Sequence, residues 1–276
     1  MVRGKEQVKQ VLAVDTDTLF NDGIFYGFQP AGSVDYRSII LANSDFQTHE
    51  HTSDVSTFKN IVVCCFIINA DTGLLSIYRN DPDNKKRSKY SQSDSQSEYL
   101  PSDSPSNSNF LNISDRGMIN FGSWSCGYSG HVTNIDASLT DPLLENRISD
   151  LEKELILQKA QNGEVQNGES VDGKILRSDL LGYIHPPIPT SKDANLQSAM
   201  IQEHFVLVYA LQTDASSVIK KDARSNHMID IYNLREKIHI SESESAKGKN
   251  HLLFDTWTKQ SMHALNKYIN DMKRET

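Results

Sequence analysis

The chain has 276 residues, a formal net charge of −8, and is 37% hydrophobic and 23% charged. No apolar run approaches the ~20 residues of a membrane-spanning helix, and the acidic balance argues against bulk-charge binding to nucleic acid. Three cysteines, Cys64, Cys65 and Cys126, are odd in number with two adjacent; they suggest no disulfide framework and point to a reducing, cytoplasmic setting.

The charged start, Met1-Val2-Arg3-Gly4-Lys5-Glu6, leads into no signal-type apolar stretch. Val8 to Val14 is a short β-like run, followed by the Asn21-Asp22-Gly23 turn signal and Phe25-Tyr26-Gly27-Phe28-Gln29-Pro30. Tyr36 to Leu41 fits one or two helical turns. Ile61 to Ile68 is continuous, rich in β-branched residues and bounded by polar residues, which predicts a strand buried on both faces. Adjacent strand residues point to opposite faces, so Cys64 and Cys65 do not line one pocket. Asn69 to Gly73 reads as a turn and Leu74 to Tyr78 as the return strand of a hairpin.

From Asp81 to Ser114 the chain is rich in Ser, Asn, Asp, Pro and Lys, with few apolar residues before Phe110. Such a segment buries too little surface to offset its ordering entropy, so 81–114 reads as a disordered, Ser-rich insertion. A second polar stretch, 158–174, reads as a flexible loop. These two segments account for the low apolar fraction and leave residues 1–276 as one domain.

Trp124 to Val132 places two glycines, Gly127 and Gly130, three apart among aromatics, the signature of close backbone approach or a bulged strand. Leu143 to Leu157 carries an apolar stripe at Leu144, Ile148, Leu151 and Leu155, with Asp141 as N-cap and Pro142 at the first helical position. Glu203 to Leu211 reads as another buried strand and Met228 to Leu234 as one more. The chain closes on a helix with Phe254, Trp257, Ser261, Leu265, Tyr268 and Met272 on one stripe. The sum is an α+β domain.

The chemistry-bearing unit is a glycine-rich strand, a loop and an acidic helix. Asp150 and Glu154 are four apart, so they share a helix face and form a candidate pair for a hard divalent cation. A solvated charged face is the plainer alternative. His49-Glu50-His51 is a candidate metal motif in a polar segment, with a solvated loop as the alternative. His204 at a strand start reads as structural, Glu203 as a candidate late metal ligand, His185-Pro186-Pro187 as a rigid loop, and Trp257 as core.

The combination resembles the Nudix superfamily of diphosphate hydrolases, and within it the branch of predicted phosphoesterases. Trp124 to Val132 is similar to that branch's tryptophan, two-glycine and Gly-His strand, and Asp141 to Asn146 to the start of its Nudix helix. Phe25 to Pro30 resembles its Phe-x-Gly-Phe motif, Gly182-Tyr183-Ile184 with His204 to Tyr209 its later strands, and Phe254 to Leu265 its closing tryptophan helix. The resemblance implies a mixed sheet sandwiched between helices, a Nudix-like fold.

The family's helix box falls on Ser149 to Leu157 and is degenerate. Asp150 replaces the first glutamate and Glu154 keeps the last. Lys153 stands where a metal-binding carboxylate is expected, Ser149 where an arginine orients the carboxylates, and Ile156 where a glycine lets the chain leave the helix. By this resemblance Asp150 and Glu154 are the catalytic metal carboxylates for Mg²⁺ or Mn²⁺, with Glu152 as a substitute ligand. Gly127, Gly130 and His131 shape the phosphate side, and Lys153 contacts a phosphate. The implied activity is metal-dependent cleavage of a diphosphate linked to a nucleoside or similar small molecule. The alternative is a non-catalytic Nudix-like module that binds a nucleotide or a protein partner, the insertion serving as docking segment. A glutamate-to-lysine change swings the local charge by two units and disfavours the cation.

Overall fold

A computed structural model describes residues 10–48, 57–80, 124–133, 135–136, 138–159, 171–186, 203–245 and 254–275. The 81–114 insertion and the His49-Glu50-His51 motif lie outside the described residues.

The first half of the chain supplies β1 (Gln10–Asp15), α1 (Thr16–Leu19), β2 (Gly27–Pro30), α2 (Tyr36–Asn43), β3 (Ser44–Thr48), β4 (Phe58–Asn69) and β5 (Leu75–Asn80). The second half supplies β6 (Trp124–Ser125), β7 (Gly127–His131), α3 (Pro142–Glu154), β8 (Leu155–Lys159), β9 (Val171–Asp172), β10 (Ile175–His185), β11 (His204–Thr213), β12 (Ser217–Lys220), β13 (Ala223–Ile229), α4 (Ile231–Ser245) and α5 (Thr256–Glu275).

Among these elements ten strands form one mixed sheet. Its spine is β4. Along one edge β4 pairs in parallel with β11, from Asn60 opposite His204 to Asn69 opposite Thr213. Its other edge is shared by β1, β7 and β5 in turn. Both central strands are buried on both faces, as their unbroken apolar runs require.

Helices cover the two faces. Ile61, Val63, Cys65 and Ile67 join Tyr36 and Ile40 of α2 and Leu143, Leu144 and Leu151 of α3 in one core. Val62, Cys64, Phe66 and Ile68 join Ile231 and Leu234 of α4 and Trp257, Leu265 and Ile269 of α5 in the other. Cys64 and Cys65 therefore belong to opposite cores, as strand alternation dictates. Burial pushes the Cys65 thiol up to about 12, and the Cys64 and Cys126 thiols well above the usual range, which keeps all three protonated and inert.

Three expectations change. The helix over Leu143 to Leu157 ends at Glu154, and Leu155 turns into β8 with φ −113° and ψ 159°. No glycine is needed there. β12 pairs antiparallel with β8, Lys220 opposite Leu155, and captures the backbone as an extended strand. The Lys221 amide donates to the Glu154 carbonyl (3.0 Å) and the Lys221 ammonium to the Lys153 carbonyl (2.7 Å), satisfying carbonyls at the helix end. Part of the expected 158–174 loop is likewise strand: Gln158 and Lys159 close β8, and Val171 and Asp172 form β9 beside it. Finally, Met228 to Leu234 is not one strand. β13 stops at Ile229, and Asp230 accepts from the amides of Tyr232 and Asn233 (3.0 Å each) to start α4.

Candidate functional site

Helix α3 is anchored at its N-terminus as its sequence predicts. Asp141 accepts from the Leu144 amide (3.2 Å), Pro142 takes the first turn, and Asp141 is itself held by the Tyr209 hydroxyl (2.8 Å) and Arg37 (3.3 Å). Burial and that carboxylate together raise the Tyr209 hydroxyl's pKa, so it stays a donor.

The C-terminal half of α3 differs from the expected metal centre. Arg147 lies on the apolar side of the helix, between Leu144 and Leu151, and only 4% of its side chain is exposed. Its Nη1 and Nη2 donate to Oε1 and Oε2 of Glu154 at 3.2 Å each, two turns on, and its Nε donates to the Tyr128 carbonyl at 3.3 Å. Burial disfavours the guanidinium charge, but the Glu154 carboxylate prevails and raises its pKa above the usual value. On the other side of Glu154 is Lys220, also buried, 3.7 Å from Oε2, 2.6 Å from Asp222 and 5.5 Å from the centre of the Tyr78 ring. Glu154 is thus the hub of a compact Arg–Glu–Lys–Asp network that ties α3 to β7 and β12.

Asp150, expected to share a cation with Glu154, pairs with Lys153 at 2.9 Å on the surface. Glu152 is exposed and turned toward a separate cleft lined by β9 and β10. No group of three His, Cys, Asp or Glu among the described residues is arranged to hold a metal ion. The donor set does not fit a divalent cation: Glu154 has both oxygens on Arg147, Asp150 is neutralised by Lys153, and Glu152 belongs elsewhere.

The residues expected on a phosphate side are also separated. A Cβ at Gly130 would lie 3.0 Å from Arg147 Nη1, so this glycine makes room for the buried guanidinium. A Cβ at Gly127 would lie 2.6 Å from Cys64 Sγ, on the opposite face of the sheet. His131 follows Gly130 and so faces away from Arg147. Its Nε2 is 3.0 Å from Nε2 of His204, whose ring packs edge-on to Trp257 of α5. Both imidazoles are buried, which makes the His131–His204 contact part of the structure beneath α5. Trp257 is core, as expected.

Two features escaped the sequence reading. Arg147 is buried against Glu154 from two residues upstream of Ser149; its signal was an arginine within the apolar stripe. The second is the setting of His185, expected in a rigid loop but found as the last residue of β10, opposite Gly27. Its Nδ1 is 2.6 Å from the Phe25 carbonyl, which can only accept, so Nδ1 carries the proton. The ring stacks on Tyr26 at 5.0 Å, and burial pushes its pKa down to about 4.

A large mixed sheet between helices, with a Gly-rich strand feeding a helix across its face, is compatible with the Nudix-like fold that the sequence resemblance implies. No protein-family model and no curated protein matches the sequence. Among solved structures the chain is similar to Tm1382, "a putative Nudix hydrolase", with a TM-score of 0.56 and 15% sequence identity over 94% of this chain and 100% of that one.

Proposed function

We propose that this chain is a Nudix-fold binding module that takes a nucleotide-like small molecule without metal-dependent hydrolysis. The observation that supports it is the engagement of Glu154, the one box glutamate retained, by buried Arg147 and Lys220. Diphosphate hydrolysis of the kind the resemblance implies needs carboxylates clustered on a cation. Here one carboxylate has become Lys153, a second is paired with that lysine, and the third is bonded to an arginine. Bringing a divalent ion to Glu154 means separating it from a guanidinium that has no water to replace it, an unfavourable exchange.

The test is calorimetric titration of the purified protein with Mg²⁺ and Mn²⁺, followed by a panel of nucleoside diphosphate derivatives with and without metal. The expected result is no saturable metal binding, no metal-dependent turnover, and saturable binding of at least one nucleotide-like compound. Turnover that requires metal overturns the reading and restores a hydrolase built on Asp150 and Glu154.

A further inference from the structure

A cleft of about 760 Å³ opens between α3, β8 and the segment that runs from β9 into β10. Its lining takes Leu151, Glu152, Leu155, Ile156 and Leu157 from the box segment but none of Asp150, Lys153 and Glu154, so the Lys153–Asp150 and Arg147–Glu154 pairs lie outside it. The volume falls in the range of small-molecule sites. Ile148, Leu151, Leu155 and Ile175 form an aliphatic floor, and at the mouth Ile156 and Leu176 are 39% and 58% exposed. Two large aliphatic side chains held in water over an apolar floor leave surface that a hydrocarbon body would cover.

Charge narrows the occupant. Glu145 and Glu152, seven apart on α3, stand on one helix face, and Asp172 lines the cleft from β9. Among the described residues none of these three carboxylates makes an ion pair or a side-chain hydrogen bond. The Arg177 charge is already met by Asp179 at 2.8 Å and Glu275 at 3.9 Å. Lys174 is the remaining cation of the lining. The unneutralised charge of the cleft is therefore negative.

We propose that this cleft binds an apolar organic cation, an alkyl- or arylammonium compound whose hydrocarbon body lies on the aliphatic floor and whose charge meets Glu145 and Glu152. The proposal goes beyond the metal-free reading of the box, because its charge is carried by Glu145 and Glu152 and not by the Asp150, Lys153 and Glu154 pairs on which that reading rests. The test is isothermal titration of the full-length protein with octylammonium, with octanoate as the chain-matched anion, and with the Glu145→Gln/Glu152→Gln variant. These glutamates are exposed and their replacement leaves the fold intact, which circular dichroism verifies. The cation is expected to bind saturably at one site, about tenfold more tightly than octanoate, and the double variant to lose most of that preference. Leu176→Ser is expected to weaken both ligands by about threefold. Octanoate binding as tightly as octylammonium, a double variant that binds the cation unchanged, or no saturable binding of the cation each overturns the proposal. None of these outcomes bears on metal binding at Glu154, which the Mg²⁺ and Mn²⁺ titration reads separately.

Discussion

The Arg147–Glu154 pair is asymmetric, and its two halves should fail differently. Glu154 is 34% exposed and Arg147 is 4% exposed. Glu154→Gln keeps the side-chain shape but removes the charge opposite a guanidinium that water cannot reach. Breaking a fully buried ion pair from one side costs about 3–5 kcal/mol. The exposed third of the carboxylate and the acceptor oxygen left on glutamine reduce that, so about 2 kcal/mol is expected. Arg147→Met replaces the buried cation with an apolar chain of similar volume. It leaves Glu154 in contact with water and 3.7 Å from Lys220. That change should cost less than about 1 kcal/mol, because the buried charge and its desolvation penalty disappear together. Urea unfolding followed by far-ultraviolet circular dichroism measures both, and the double variant closes the cycle. The double variant should be more stable than Glu154→Gln alone. Equal losses in the two single variants, or a larger loss in Arg147→Met, would refute the view that the uncompensated guanidinium dominates.

Lys153→Glu removes the partner of Asp150 and places a carboxylate where the family resemblance expects one; saturable Mn²⁺ binding, which the parent chain is expected to lack, should then appear in electron paramagnetic resonance. If it does not, the helix register used for the box is wrong. His185 has a folded pKa of about 4, below its ordinary value near 6.5, so its stabilising contribution is complete above pH 6.5 and is lost as pH falls toward 4. At about 1.4 kcal/mol per unit the loss approaches 3 kcal/mol at pH 4. His185→Asn keeps a donor for the Phe25 carbonyl and should flatten this part of the stability–pH curve; an unchanged slope between pH 6.5 and 4 contradicts the assignment. Gly130→Ala pushes a methyl against a guanidinium held by three hydrogen bonds, and should cost about 1–3 kcal/mol by thermal unfolding. In the Arg147→Met background the same substitution should be milder, since a thioether chain yields where the pinned guanidinium does not.

Local patterning determined much of the architecture. The apolar run of β4, the stripes of α3 and α5 and the Asp141-Pro142 start of α3 are each written in consecutive residues, because burial periodicity and capping act over a few positions. The Gly127 and Gly130 spacing likewise announced close backbone approach. The family resemblance implied that both glycines and His131 share one phosphate side. Alternation along β7 sends Gly127 and Gly130 to opposite faces, and only the packing shows what each meets.

What the tertiary structure alone decided is the fate of α3. Its end at Glu154 depends on β12 and Lys221, more than sixty residues downstream in the chain. The engagement of Glu154 depends on Arg147 being folded into the core and on Lys220 arriving from β12. A carboxylate's chemistry is set by the charges and water around it, and those come from segments that only the fold brings together. The sequence by itself determined the buried strands and amphipathic helices of an α+β domain, and its family resemblance implies a box with a lysine in place of an acid. Tertiary contacts decided that the remaining acid of that box is bonded to an arginine, and that the open cleft lies on a different set of side chains.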